Sequence, residues 1–302
     1  MNKIEFGDCR ETMRKWASEG VKAQTCVTSP PYFGLRDYGH DGQIGLEETP
    51  EEYIKAMVEV FRCVWDVLED DGTLWLNIGD SYAGNNSRAS NNGRAGFGNA
   101  REKVVNRTGE GLKTKDLIGI PWMLAFALRA DGWFLRQDII WHKPNPMPES
   151  VQDRCTKAHE YIFLLTKSQK YYYDHEAIKD PVKDDWGTRD RANGKYHNEG
   201  TGLQPHSGLE KSYEMANKRS VWSVPVKPYT GAHFAVFPSE LIEPCILAGA
   251  PVGGIVLDPF MGSGTTAQVS QDLGRQYIGC ELNPAYEKLQ KKRTAQTSLG
   301  FA

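Results

Sequence analysis

One run near the C-terminus constrains the fold more than any other: Ile255-Val256-Leu257-Asp258-Pro259-Phe260-Met261-Gly262-Ser263-Gly264-Thr265-Thr266. An apolar strand pattern passes through a glycine turn into a helix start. Gly262 and Gly264 allow backbone conformations, and a close ligand approach, that side chains forbid. The helix behind them presents free N–H groups and the positive end of its dipole to an anion. The next apolar run, Gln276–Cys280, leads into Glu281. That residue lies roughly 20 positions beyond the glycines, where a carboxylate can accept hydrogen bonds from ribose hydroxyls. Together these features describe a pocket for a nucleoside bearing a carboxylate or phosphate. The alternative is a tight βα turn that binds nothing, with an ordinary surface glutamate. The glycine spacing is not the GxGxxG of dinucleotide binders, which argues against NAD and FAD.

Strand and helix patterns alternate along the rest of the chain, which implies an α/β sheet with helices on both faces. Strands are predicted at Lys3–Phe6, Ala23–Thr28, Thr73–Ile78, Phe134–Trp141, Glu160–Thr166, Ile255–Leu257 and Gln276–Cys280. Thr73–Ile78 is apolar enough for a central place. The clearest helix starts at Thr49-Pro50-Glu51-Glu52, where Thr49 can cap, Pro50 suits the first helical position and Glu52 completes a capping box. Tyr53, Met57, Val60, Phe61, Val64 and Leu68 then share one face, and Asp70-Asp71-Gly72 is expected to stop the helix. Further helices follow Gly7-Asp8, carrying Met13, Trp16 and Ala17, and cover Pro121–Asp131, Ser239–Ala248 and Thr265–Leu273. Asn283 is placed to cap a last helix beginning at Pro284. The 302 residues allow one large domain, or a catalytic domain with a smaller insert.

Two polar stretches break this pattern. Gly84–Lys115 is rich in Gly, Asn, Ser and Arg and has no hydrophobic period, so it reads as a long loop. It holds Arg88, Arg94, Arg101, Lys103, Arg107, Lys113 and Lys115 against Glu102 and Glu110, a local +5 in a chain of net charge −3. Such segregation suits phosphate contact, although charge-rich loops are often only solvated. The second stretch, from about Asp174 to Pro228, contains Trp186, Arg189, Arg191, Lys195, Tyr196, His197, Lys218 and Arg219. The six cysteines are scattered, with no CxxC pair, so no metal site or disulfide framework is expected. The N-terminus does not resemble a signal peptide and no apolar run approaches membrane-spanning length, which gives an expectation of a cytoplasmic protein.

Ser29-Pro30-Pro31-Tyr32 follows the strand Ala23–Thr28. The prolines fix the backbone and leave carbonyls as acceptors. Ser29 supplies a hydroxyl and Tyr32 a flat face on which a base can stack. Alone, the motif could equally be a polyproline-like turn with a packed tyrosine.

Taken together, Ser29–Tyr32 near the start and Asp258–Thr266 near the end resemble the amino-DNA methyltransferases of the β group, in which the catalytic motif precedes the cofactor motif. Gly7-Asp8-Cys9, Trp75–Asp80, Trp141-His142-Lys143-Pro144, His159-Glu160-Tyr161, His233–Pro238 and Gly279–Pro284 also match. The resemblance implies a Rossmann-like S-adenosylmethionine-dependent methyltransferase fold with a mixed sheet and an inserted target-recognition segment. It places Phe260, Gly262, Ser263, Gly264 and Thr265 at the methionine end of the cofactor, with Asp258 near its amino group. Glu281 takes the ribose and Asp8 reaches the adenine, with Cys9 and Asn283 beside them. Ser29, Pro30, Pro31 and Tyr32 hold a target base rotated out of duplex DNA.

An exocyclic amine is a weak nucleophile because its lone pair is delocalised into the ring. Acceptors aimed at its N–H bonds favour a more tetrahedral nitrogen and free the lone pair to attack a sulfonium methyl. A serine at the first motif position is more usual in cytosine-N4 enzymes, with adenine N6 as the alternative. The C5-cytosine enzymes need a Pro-Cys-Gln nucleophile, whereas the chain offers Pro244-Cys245-Ile246 on an amphipathic helix. An RNA or protein methyltransferase, and a silent DNA-binding regulator, are the more remote readings. The resemblance divides the chain into a catalytic half, 1–173, a target-recognition insert, 174–230, and a cofactor-binding half, 231–302. Arg88, Arg94, Arg101 and Arg107 of the loop and Arg189, Arg191, Lys218 and Arg219 of the insert are the candidate DNA contacts. A homodimer is also implied. Whether a cognate restriction endonuclease exists is not readable.

Overall fold

The computed structural model describes residues 1–35, 37, 39–40, 42–84, 111–181, 214–227 and 237–295. Ten strands and six α-helices are described: β1 (Asn2–Phe6), α1 (Cys9–Ser18), β2 (Ala23–Thr28), α2 (Pro50–Val67), β3 (Leu68–Ile78), α3 (Ile120–Ala130), β4 (Phe134–His142), β5 (His159–Thr166), β6 (Asp180–Pro181), β7 (Met215–Ala216), β8 (Val221–Ser223), α4 (Ser239–Gly249), β9 (Ile255–Asp258), α5 (Thr265–Asp272), β10 (Gln276–Glu281) and α6 (Glu287–Ala295). The main sheet has eight strands in the order β1-β10-β9-β2-β3-β5-β4-β8, while β6 and β7 form a separate pair. Within the main sheet β5 is antiparallel to both its neighbours and every other pairing is parallel. This is the α/β architecture that the alternation implies, with the mixed sheet that the resemblance implies.

Side chains alternate across the sheet as a pleated strand requires. On β3, Leu74, Leu76 and Ile78 face the core under α1, α2 and α3, where Met13, Trp16, Tyr53 and Phe61 are fully buried. Trp75, between them, faces the opposite core with Leu241, Ile242 and Cys245 of α4. Cys245 is therefore a packed side chain, as its position on an amphipathic helix implies. Thr49 caps α2 through the capping box with Glu52, with Pro50 in the first turn. Among the described residues no helix is long and apolar enough to cross a membrane.

Three local features depart from the sequence reading. The helix α2 ends at Val67, before Asp70-Asp71-Gly72, and the chain enters β3 at once. Pairing with β2 jumps from Ala23↔Leu68 to Thr25↔Thr73, so those residues bulge from a strand and do not terminate a helix. Gly72 fits there because a Cβ would lie 2.9 Å from the Glu69 carbonyl oxygen. Asn283 caps a short 3₁₀ turn, Pro284–Tyr286, and α6 starts only after it. Finally, β8 lies inside the 174–230 stretch yet pairs with β4 from Ile140↔Val221 to His142↔Ser223, extending the main sheet.

Candidate active site

The order of the sheet places the site. From β2 the chain proceeds to β3 on one side, and from β9 to β10 on the other, so the connections diverge between β2 and β9. In open α/β sheets ligands bind at such a switch point, beyond the carboxyl ends of the strands. Thr25↔Val256 and Cys26↔Leu257 bring Ser29-Pro30-Pro31-Tyr32 and Pro259-Phe260-Met261-Gly262 out of the sheet side by side. A cavity of about 330 Å³ opens there and is lined by both segments.

Asp258 joins the two segments. It is 1% exposed, and its carboxylate accepts from the hydroxyls of Thr28 and Thr266, each at 2.6 Å, and from the Phe260 N–H at 3.0 Å. Thr28 is the residue before Ser29, so this bond ties the end of β2 to the start of the glycine turn. Burial pushes the Asp258 carboxyl up to about 6, and the three hydrogen bonds oppose that shift.

Glu281 ends β10 and lines the cavity. Its carboxylate accepts from the Gly262 N–H at 2.7 Å and the Asn283 N–H at 2.8 Å, which locks the glycine turn to the end of β10. Burial raises its carboxyl to about 7, against the lowering effect of those bonds. Gly262 has φ +54 and its carbonyl accepts from Gln290 Nε2 at 2.7 Å.

Among the described residues, Ser263 Oγ is the buried side-chain polar atom with no hydrogen-bond partner, and Ser263 lines the cavity. An orphaned hydroxyl is costly in a finished core, which makes Ser263 Oγ a candidate ligand contact. Phe260, Thr265, Asn283, Asp8 and Cys9 line the same cavity. Gly264 is not part of that wall. Its φ of +88 caps α5, and a Cβ there would stand 3.3 Å from Gln290 Cα, so it serves the turn and the packing of α6.

Asp8 caps α1 and is clasped by Arg10, whose hydrogen bond holds its carboxyl below the usual range. Burial pushes the Cys9 thiol up to about 12, which removes it as a thiolate nucleophile.

At the other end, Pro31 does not offer a free carbonyl: Tyr53 donates its hydroxyl to it at 2.8 Å. The Tyr32 ring lies against Gly79, where a Cβ would come within 2.6 Å of Tyr32 Cε2. The Tyr32 hydroxyl donates to Glu160 Oε2 at 2.6 Å, and burial with the adjacent carboxylate pushes the phenol well above its usual range. Glu160 also pairs with Lys143. Asn77, Trp141, Lys143 and Glu160 all line the cavity, and the sequence reading gave none of them a role. Their only signal was membership of the resembling stretches.

Of the candidate DNA contacts, Arg88, Arg94, Arg101, Arg107, Arg189 and Arg191 lie outside the described residues. Lys218 forms an ion pair with Asp180 at 3.0 Å, and the Arg219 carbonyl accepts from Trp222 Nε1 at 2.7 Å.

Comparison with known proteins gives a consistent picture. Residues 23–292 match the N6/N4 DNA methylase family. The chain is 49% identical over 291 residues to the type II methyltransferase M.SmaI of Serratia marcescens, covering 96% of this chain and 90% of that protein. Among solved structures it is similar to the PvuII DNA methyltransferase, described as cytosine-N4-specific, with TM-score 0.63 and 17% identity over 99% of this chain and 88% of that one. It is also similar to M1.HpyAVI in complex with S-adenosylmethionine, with TM-score 0.57 and 17% identity over 97% and 98%. At such identities the structural matches establish the fold.

Proposed function

The chain belongs to the N6/N4 family of DNA methylases, and on that premise we propose that it is a type II DNA methyltransferase carrying a methyl group from S-adenosylmethionine to cytosine N4 of a base flipped from duplex DNA. The observation that carries this reading is a cavity between β2 and β9, walled by Ser29–Tyr32 on one side and by Phe260, Ser263 and Glu281 on the other.

The residues fit the cofactor. Glu281, at the end of β10, would accept from the ribose hydroxyls. Gly262 allows close approach, and rotation of the unpartnered Ser263 hydroxyl supplies a donor for a carboxylate. The bound cofactor supplies an electrophilic sulfonium methyl. The chain does the rest by positioning and electrostatics. Tyr32 stacks on the flipped base. The Ser29 hydroxyl and the Pro30 carbonyl accept from the two amine N–H bonds and favour a tetrahedral nitrogen. With S-adenosylmethionine bound, the methyl group would pass to the amine nitrogen held by Ser29 and Pro30, the sulfur would leave as a neutral thioether, and the amine would lose one proton to solvent. Serine at the head of the motif favours cytosine over adenine. The basic stretch 84–115 would contact phosphates, and Arg189 and Arg191 would reach the DNA from the insert.

Single-turnover methylation with Tyr32→Ala tests the base pocket. Loss of stacking worth about 1–3 kcal/mol predicts a slowing of roughly 5- to 150-fold, with cofactor affinity near wild type. Ser29→Ala should slow transfer without weakening duplex affinity. A Tyr32→Ala enzyme with wild-type single-turnover rate would remove the base from this end of the cavity.

A further inference from the structure

The geometry points to Glu160 as the residue that positions Tyr32 for methyl transfer, acting through the tyrosine hydroxyl and not on the substrate. The inference rests on the reading of Tyr32 as the platform for the flipped base.

A ring that only had to offer an apolar face would not need a built acceptor for its hydroxyl. Here one is assembled from three strands. Glu160 lies near the start of β5, between Asn77 near the end of β3 and Trp141 of β4, with which it is directly paired. Its Oε2 accepts from the Tyr32 hydroxyl at 2.6 Å and from Asn77 Nδ2 at 3.3 Å. Its Oε1 takes the ammonium of Lys143, which also sits 4.3 Å above the Trp141 ring. The Lys143 and Glu160 side chains are only 18% and 15% exposed. The ion pair therefore neutralises a carboxylate that would otherwise face the cavity uncompensated.

The opposite constraint is steric. Gly79 leaves no more room than the ring occupies, since even a methyl group there would meet Cε2 at 2.6 Å. Tyr32 is thus pinned at its edge by Gly79 and at its tip by Glu160. A stacking surface held in one plane fixes the target amine against Ser29 and Pro30 without spending binding energy on ordering the ring. Without the Glu160 tether the ring keeps its face but loses its fixed plane, so the cost should fall on the chemical step.

A double-mutant cycle in single-turnover methylation tests this, with Glu160→Ala, Tyr32→Phe and the pair together. Each single variant should slow transfer about tenfold, the order of a lost hydrogen bond to a charged group. The double variant should be no more than about twofold slower than either single, because both remove the same contact. Calorimetric affinity for S-adenosylmethionine should stay within about threefold of wild type, which also reports that the variants fold. If Glu160→Ala does not fold, Glu160→Gln keeps the volume and an acceptor. It should slow transfer about threefold in the wild-type background and not at all in Tyr32→Phe. A folded Glu160→Ala enzyme with wild-type rate overturns the inference. So does equal slowing by the Glu160 variant in both backgrounds, which would mean that Glu160 acts independently of Tyr32. Failure of the base-pocket reading itself shows separately, as an unimpaired Tyr32→Ala enzyme.

Discussion

Two carboxylates a short way apart in the fold, Asp258 and Glu281, do different work although burial raises both. Asp258 accepts from Thr28, Thr266 and the Phe260 N–H, which makes it a bolt between the two motifs at the cavity wall. Glu281 accepts only backbone N–H groups and faces the cavity, so it can accept from a ligand. Its carboxyl is raised to about 7 from 4.5. The folded protein without cofactor therefore binds more protons here than the unfolded chain. This group's contribution to stability is present below the unfolded value and is lost as pH rises towards 7. With Glu281 at the ribose, as proposed, cofactor binding should run the other way, because ribose hydroxyls prefer the carboxylate. Affinity should be full above about pH 7 and fall by up to about tenfold per unit below it, with a proton released on binding. Calorimetry at several pH values checks this against Glu281→Gln, which should lose that dependence. Identical pH profiles for the two proteins would remove Glu281 from the ribose site. Glu281 was legible in sequence because it follows the glycine turn at a telling distance. Glu160 was not, because its meaning lies in cross-strand neighbours. No local pattern reveals that β5 runs antiparallel between β3 and β4.

At the scale of elements, the parts with strong local chemistry were readable and those set by tertiary packing were not. The cap of α2 follows from Thr49, Pro50 and Glu52 alone. The end of α2 does not, because Leu68 is fully buried as the first residue of β3 and its packing overrides the Asp-Asp-Gly signal. Gly264 was legible as a required glycine through its backbone conformation, and the proximity of α6 adds a steric reason that the sequence could not show. β8 is three residues long and gains its place by pairing with β4, which composition could not show. The segment 84–115 remains an expectation drawn from charge. Reversing Arg88, Arg94 and Arg107 to Glu should weaken duplex binding roughly uniformly across sequences and flatten its salt dependence. Affinity measured over a salt series decides this, and an unchanged slope would mean that these residues do not contact phosphate.

For the whole molecule, the chain order explains how distant motifs make one site. Ser29 and Gly262 are far apart in sequence, yet β2 and β9 are neighbours because the sheet grows outward from them in both directions. The two-motif signature was readable from sequence, and its convergence on one cavity required the topology. The choice between cytosine and adenine rests on Ser29 and not on any contact with a base. The central claim is that this cavity methylates an exocyclic amine of DNA. The most direct test incubates the purified protein with unmethylated genomic DNA and S-adenosylmethionine, then digests the DNA and identifies the modified nucleosides by mass spectrometry. The account predicts N4-methyldeoxycytidine, accumulating more slowly when Tyr32→Ala replaces the wild type. N6-methyldeoxyadenosine would overturn the choice of base alone, whereas 5-methyldeoxycytidine, or no methylated nucleoside, would contradict the account.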